Sequence, residues 1–158
     1  MRYVARVPER VTNIVLAAVY VALAASAIRN AVAYHQRLAL LYFVIHLALA
    51  VLFAIRHRTI ERSPHPAGYA AATLAVFYIY LFDYTVAVGG VTGRLGTALH
   101  WVGTVASLLS VLSLGRCFGI LPSYRGVRTT LMYRIVRHPI YASYAMMDAG
   151  MLLAYPSP

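Results

Sequence analysis

The sequence predicts an all-α fold, a polytopic membrane helix bundle of about five transmembrane helices, and three observations lead there. The 158 residues are 61% hydrophobic and 11% charged, against about 45–50% apolar and roughly 25% charged for a soluble domain. Mean hydropathy is +0.70, so the chain lacks the polar surface to cover a soluble globule of its length. The apolar residues also gather into five stretches, each approaching the roughly 20 residues needed to cross about 30 Å of hydrocarbon. Residues 1–158 therefore read as a single transmembrane domain.

The stretches run Val11–Ile28, Leu38–Ile55, Tyr69–Val88, Thr97–Leu114 and Pro139–Tyr155. Segments this apolar must be helices, because inside lipid every backbone N–H needs a partner within the chain. The last is the shortest. The first follows Arg2, Arg6 and Arg10 and ends Ala-Leu-Ala-Ala-Ser-Ala, which also fits a signal peptide with a small-residue cleavage site. The run is long for that role, and an uncut first span does the same targeting work.

The connections set the orientation. All 14 basic residues are arginine. Arg2, Arg6 and Arg10, then Arg56, Arg58 and Arg62, then Arg116, Arg125, Arg128, Arg134 and Arg137 fall on one side of a five-span arrangement. Only Arg29, Arg37 and Arg94 fall on the other. Arginine excess marks the cytoplasmic face, so the expectation is a multi-pass protein of the cell inner membrane with the N-terminus and the fourth-to-fifth connection cytoplasmic. The formal charge of +10 is then explained by topology and by membrane lipids with anionic headgroups, and no nucleic-acid partner is expected. The connection containing Ser63-Pro64-His65-Pro66 stops helix continuation. Gly89–Gly96, with four glycines among its eight residues, reads as a flexible turn on the outer side. The single cysteine, Cys117, excludes an internal disulfide and a CxxC redox pair.

Chemistry concentrates in residues 115–144, a cytoplasmic connection and the start of the last helix. Pro139 suits the first turn of a helix, where no N–H partner is needed. His138, preceding proline, is driven out of the helical region. Arg137 and His138 thus hang at a helix N-terminus, where free N–H groups favour an anion. Arg134 and Arg137 add forked donors suited to carboxylate or phosphate. Tyr141, Tyr144 and Asp148, spaced by three and four, share one helix face. The plainer reading makes the arginines simple cytoplasmic anchors and His138 incidental.

The string Leu114-Gly-Arg-Cys-Phe-Gly119, followed by Tyr133-Arg-Ile-Val-Arg-His-Pro-Ile-Tyr-Ala-Ser-Tyr144, resembles the bacterial relatives of isoprenylcysteine carboxyl methyltransferase. It also resembles phospholipid N-methyltransferases. The resemblance covers about Leu114–Ser157 and is diffuse before that. It implies an integral membrane methyltransferase using S-adenosylmethionine on a lipid-like or small apolar acceptor. By the same resemblance Arg137, His138, Pro139 and Tyr141 belong to the cofactor pocket, with Tyr133, Arg134 and Ser143 near it. Arg137 is expected on the cofactor carboxylate and Tyr141 against the cofactor. His138 is expected to shape the connection or accept a proton, which makes Arg137 and His138 the catalytic candidates. No metal is expected.

Two departures qualify the match. The family carries a glycine two residues before the motif tyrosine, where this chain has Leu131, so the resemblance brings no tight turn there. Relatives also continue past the Tyr-Pro-Ser with another helix and a tail bearing a Glu-Glu pair that completes the cofactor site. The expectation is a C-terminally truncated relative. Two alternatives follow: a non-catalytic membrane protein of the same family, or an NADPH-dependent membrane reductase, although those carry Pro-Asn-Tyr where this chain has His138-Pro-Ile-Tyr141. A prenylcysteine carboxylate, a phospholipid amine and a small thiol all stay open as acceptor, and oligomeric state is unreadable.

Other residues invite a role. Asp83, inside the third run, is a functional candidate by position or simply reaches the interface. Asp148 is expected to make an internal hydrogen bond. His46 reads as a bundle residue, since the six histidines show no metal-ligand spacing. Most of the 13 tyrosines read as interfacial belt and packing, with Tyr78, Tyr80 and Tyr84 as possible flanks of a lipid groove. Cys117 reads as a small packing residue.

Overall fold

The computed structural model describes residues 9–34, 37–62, 88–119, 123–124 and 129–155, with isolated positions 67–68, 70 and 74. The expected third span, with Tyr78, Tyr80, Asp83 and Tyr84, lies outside the described residues. The described chain is helical apart from one minimal β-ladder. Among the described residues three helices are long and apolar enough to cross a membrane: Glu9–Ala33, Arg37–Ile55 and Gly90–Cys117. The chain divides into two compact units, Met1–Arg58 and Thr59–Pro158.

The first unit is a pair of helices, α1 (Glu9–Tyr34) and α2 (Arg37–Ile55). They outrun the apolar stretches that predict them and take in Arg29 and Arg37. Tyr20 stacks on Phe53, with centroids 5.5 Å apart, and lies 5.9 Å from His46. Phe53 is fully buried. Beyond the end of α2, Arg56 lies over the Phe53 ring with its Cζ 4.7 Å from the centroid. Its Nε donates to Asn13 Oδ1 at 2.8 Å, and Nη2 donates to the same oxygen. An arginine that the sequence places among the topology charges therefore also closes this pair. His46 is a bundle residue as expected, with its ring 5.9 Å from that of Tyr20 and 6.2 Å from that of Tyr42.

The second unit is organised by α3 (Gly90–Leu114) and, after a two-residue strand ladder and a short helix, by α5 (Pro139–Ala154). Strand β1 (Glu61–Arg62) pairs antiparallel with β2 (Ser123–Tyr124). The short helix is α4 (Met132–Ile135). Helices α3 and α5 run antiparallel in close contact: Gly96 meets Ala154 and Gly150, and Gly103 meets Met147 and Ser143. Val88 N–H donates to Ala154 O at 2.8 Å and ties the start of α3 to the end of α5.

The turn expected over Gly89–Gly96 is corrected here: α3 begins at Gly90. Gly90, at φ 76 with nothing within 4 Å of its missing Cβ, is a turn glycine where the helix begins, but each glycine inside a helix costs about 0.5–1 kcal/mol relative to alanine, and for Gly93 and Gly96 close packing supplies the reason. A Cβ on Gly93 would fall 1.8 Å from Val88 O, and one on Gly96 would fall 2.6 Å from Ala154 N. Small residues let helix backbones approach where no hydrophobic drive exists between helices in lipid. The stripe continues with buried Gly103, Thr104, Ser107, Ser110 and Ser113. Thr104, Ser110 and Ser113 donate to the carbonyls of His100, Ala106 and Leu109, four residues back, at 2.6–2.7 Å, so these hydroxyls are satisfied within the helix. His100 crosses the interface. Its Nδ1 lies 2.9 Å from Met147 O, and since a carbonyl only accepts, Nδ1 carries the proton.

Candidate functional site

The motif residues gather where α3 ends and α5 begins. Helix α3 closes on Gly115, which has φ 50 and caps the helix with its N–H on the Leu112 and Val111 carbonyls. A single 3₁₀ turn, Gly115–Cys117, follows. The chain returns at Thr129, and Thr130–Tyr133 make a turn in which Tyr133 N–H donates to Thr130 O at 3.1 Å. Leu131 sits at the first corner with φ 51 and ψ −120, the geometry of a type II′ turn, which glycine ordinarily supplies. The turn that the resemblance withholds is thus present with leucine in it. It rests against α3 through Ser113, whose Oγ accepts from Met132 N–H at 3.4 Å.

Pro139 occupies the first turn of α5, buried, and His138 precedes it at φ −132 and ψ 65, outside the helical region. Ala142 N–H reaches back to His138 O at 3.2 Å, so the helix starts where the proline rule puts it. Arg134, Arg137 and His138 are exposed. The two guanidinium groups make no hydrogen bond or ion pair among the described residues. Tyr141 is 72% exposed, and its ring lies 6.0 Å from that of His138. Tyr133 is half-buried, and burial pushes its hydroxyl above the ordinary tyrosine range, with Tyr141 and Tyr144 adding to the effect. Tyr141, Tyr144 and Asp148 follow one another at helical spacings of three and four along α5.

Ser143 stands apart from this group. It is buried against Gly103 of α3, and its hydroxyl donates to Ile140 O at 2.8 Å. Pro139 is likewise a buried structural element, so the exposed members are Arg134, Arg137, His138 and Tyr141. A groove of about 390 Å³ runs along α3 over Trp101, Val102, Val105, Ala106 and Leu109 and ends at Met132, beside Tyr133; its lining is wholly apolar. A second groove, about 680 Å³, lies at the opposite end of α3 around Gly93, Arg94 and Trp101.

The sequence reading passed over Ser113, which holds the turn, and His100, which joins α3 to α5. Their signal was present: Gly96, His100, Gly103, Ser107 and Ser110 recur every three or four residues, the period of one helix face. No protein-family model, curated protein or solved structure matches the chain.

Proposed function

We propose that the chain is an integral membrane S-adenosylmethionine-dependent methyltransferase acting on a lipid-like or small apolar acceptor, related to the isoprenylcysteine carboxyl and phospholipid methyltransferases that its motif resembles. The observation that carries this reading is the helix start at Arg137-His138-Pro139. The Arg137 guanidinium, without a hydrogen bond or ion pair among the described residues, and the first-turn N–H groups of α5 stand together there, a few residues from an apolar groove. First-turn N–H groups and the positive end of the helix dipole attract carboxylate, which fits the amino-acid end of the cofactor. When bound, the cofactor supplies an activated methyl group. Arg137 and the start of α5 hold and orient its carboxylate, Tyr141 packs against it, and His138 shapes the approach. Positioning and electrostatics are what such a transfer asks of a protein.

The same reading assigns five spans in the cell inner membrane, with residues 115–138 on the cytoplasmic side. The β1–β2 ladder supports it, since it joins the Arg62 connection to the connection after α3, the two that the arginine count places on one face.

Isothermal titration of the detergent-solubilised chain with S-adenosylmethionine, with NADPH as competitor, tests the reading. Saturable binding is expected that NADPH does not displace and that Arg137→Ala abolishes. Binding unaffected by Arg137→Ala, or NADPH binding in its place, overturns it.

A further inference from the structure

The short helix α4 carries a surface that the methyl-transfer reading leaves without a task. Leu131 is 70% exposed and Ile135 is 78% exposed. Leu131 enters the turn at φ 51 and Arg134 and Ile135 close it, all three exposed. Val136, next in sequence, is also exposed. A connection between membrane helices that sat in water would present polar groups, as loops generally do.

The depth of this segment explains the difference. Met132 N–H reaches Ser113 Oγ, and Met132 closes the groove that contains Leu109. Leu109 lies five residues inside the end of α3, about 7 Å along the axis. Helix α4 therefore lies alongside the last turns of an apolar spanning helix and not above it. Charge points to one kind of surface: residues 115–138 contain five arginines and no acidic residue, and the Arg134 guanidinium has no partner among the described residues.

We propose that residues 131–136 form a wedge inserted into an anionic phospholipid leaflet, with Leu131, Ile135 and Val136 in the acyl boundary and Arg134 on a headgroup phosphate. The proposal stands apart from the methyl-transfer reading and needs no cofactor. Its consequence is that leaflet charge sets the position of the Tyr133–Tyr141 segment.

The test uses the full chain in vesicles of phosphatidylcholine alone or with phosphatidylglycerol. Trp101, the only tryptophan, is replaced in Trp101→Phe, and Ile135→Trp supplies the reporter; Val136→Trp repeats the measurement at a second site. Quenching by acyl-brominated lipid and shielding from acrylamide are expected in the anionic vesicles. An arginine near such a surface contributes about a fivefold bias, so Arg134→Gln or high salt is expected to lower the inserted-to-lifted ratio about fivefold. Acrylamide access without bromolipid quenching in both vesicle types overturns insertion. Quenching that is equal with and without phosphatidylglycerol overturns headgroup recognition.

Discussion

Gly150 stands so close to His100 that a Cβ built on it would lie 2.4 Å from the His100 main-chain nitrogen. The atoms in the way belong to backbone, so they do not swing aside, and any side chain at position 150 forces α3 and α5 apart. Overpacking of this kind costs about 1–3 kcal/mol and at times more. Gly150→Val is expected to lower the thermal midpoint in detergent, followed by circular dichroism, by several degrees. Ala98→Leu, on the exposed side of α3, is expected to leave it unchanged. Equal midpoints for both would remove the close α3–α5 contact from the account of this unit.

The turn at Leu131 gives a prediction of opposite sign. A non-glycine residue held at positive φ costs about 1–2 kcal/mol, and Leu131 has no neighbouring contact that demands leucine, being mostly exposed. Leu131→Gly is expected to raise the thermal midpoint in detergent, by a gain of about 1 kcal/mol. Leu131→Val, stiffer at χ1 and less tolerant of this backbone, is expected to lower it. A midpoint order other than glycine, leucine, valine would show that the corner relaxes to another conformation.

Legibility followed the kind of signal each element carries. Helices α2 and α5 were readable to within a residue and α1 to within six, because a long apolar run without breakers is a helix signal. The start of α5 was readable to the residue because proline fixes its own position in a helix. Gly93 and Gly96 were misread because the glycine code of soluble turns and the glycine code of close helix packing use the same letter, whereas Gly90 does hold a turn conformation at φ 76. Distinguishing them requires the partner, and Ala154 and Gly150 lie more than fifty residues away. Leu131 was unreadable for another reason, since nothing in a leucine announces a positive φ. In the candidate site, Arg134, Arg137, His138 and Tyr141 share one exposed area at the start of α5. Ser143 lies at the α3 interface because a spacing of two on a helix turns a side chain to a different face.

Arg56 and Asn13 test the first unit. The guanidinium is buried, 9% exposed, and places two N–H groups on the Asn13 oxygen. Hydrogen bonds to a charged group contribute about 1.5–3 kcal/mol. Asn13→Ala is expected to destabilise the α1–α2 pair by about that amount in denaturant titrations, monitored by proteolytic release of the Met1–Arg58 unit. Arg56→Lys is expected to recover only part of the wild-type stability, because an ammonium lacks the planar fork and the flat contact with Phe53. Full recovery by lysine would make charge alone, and not the fork, the relevant property.

Tyr133 supplies the pH dependence. Partial burial holds its hydroxyl above the usual range, with Tyr141 and Tyr144 pushing the same way. In the unfolded chain the same phenol ionises near pH 10. The folded protein therefore keeps its proton where the unfolded chain loses it. This contribution to stability is complete below about pH 10 and is lost as pH rises through the higher folded value. Phenolate absorbance during an alkaline titration is expected to show a late-ionising component that loses one tyrosine equivalent in Tyr133→Phe, and the variant's stability is expected to fall less steeply above pH 10 than that of the wild type. If the late component kept its full amplitude in Tyr133→Phe, or the two stability curves stayed parallel, Tyr133 would be freely solvated.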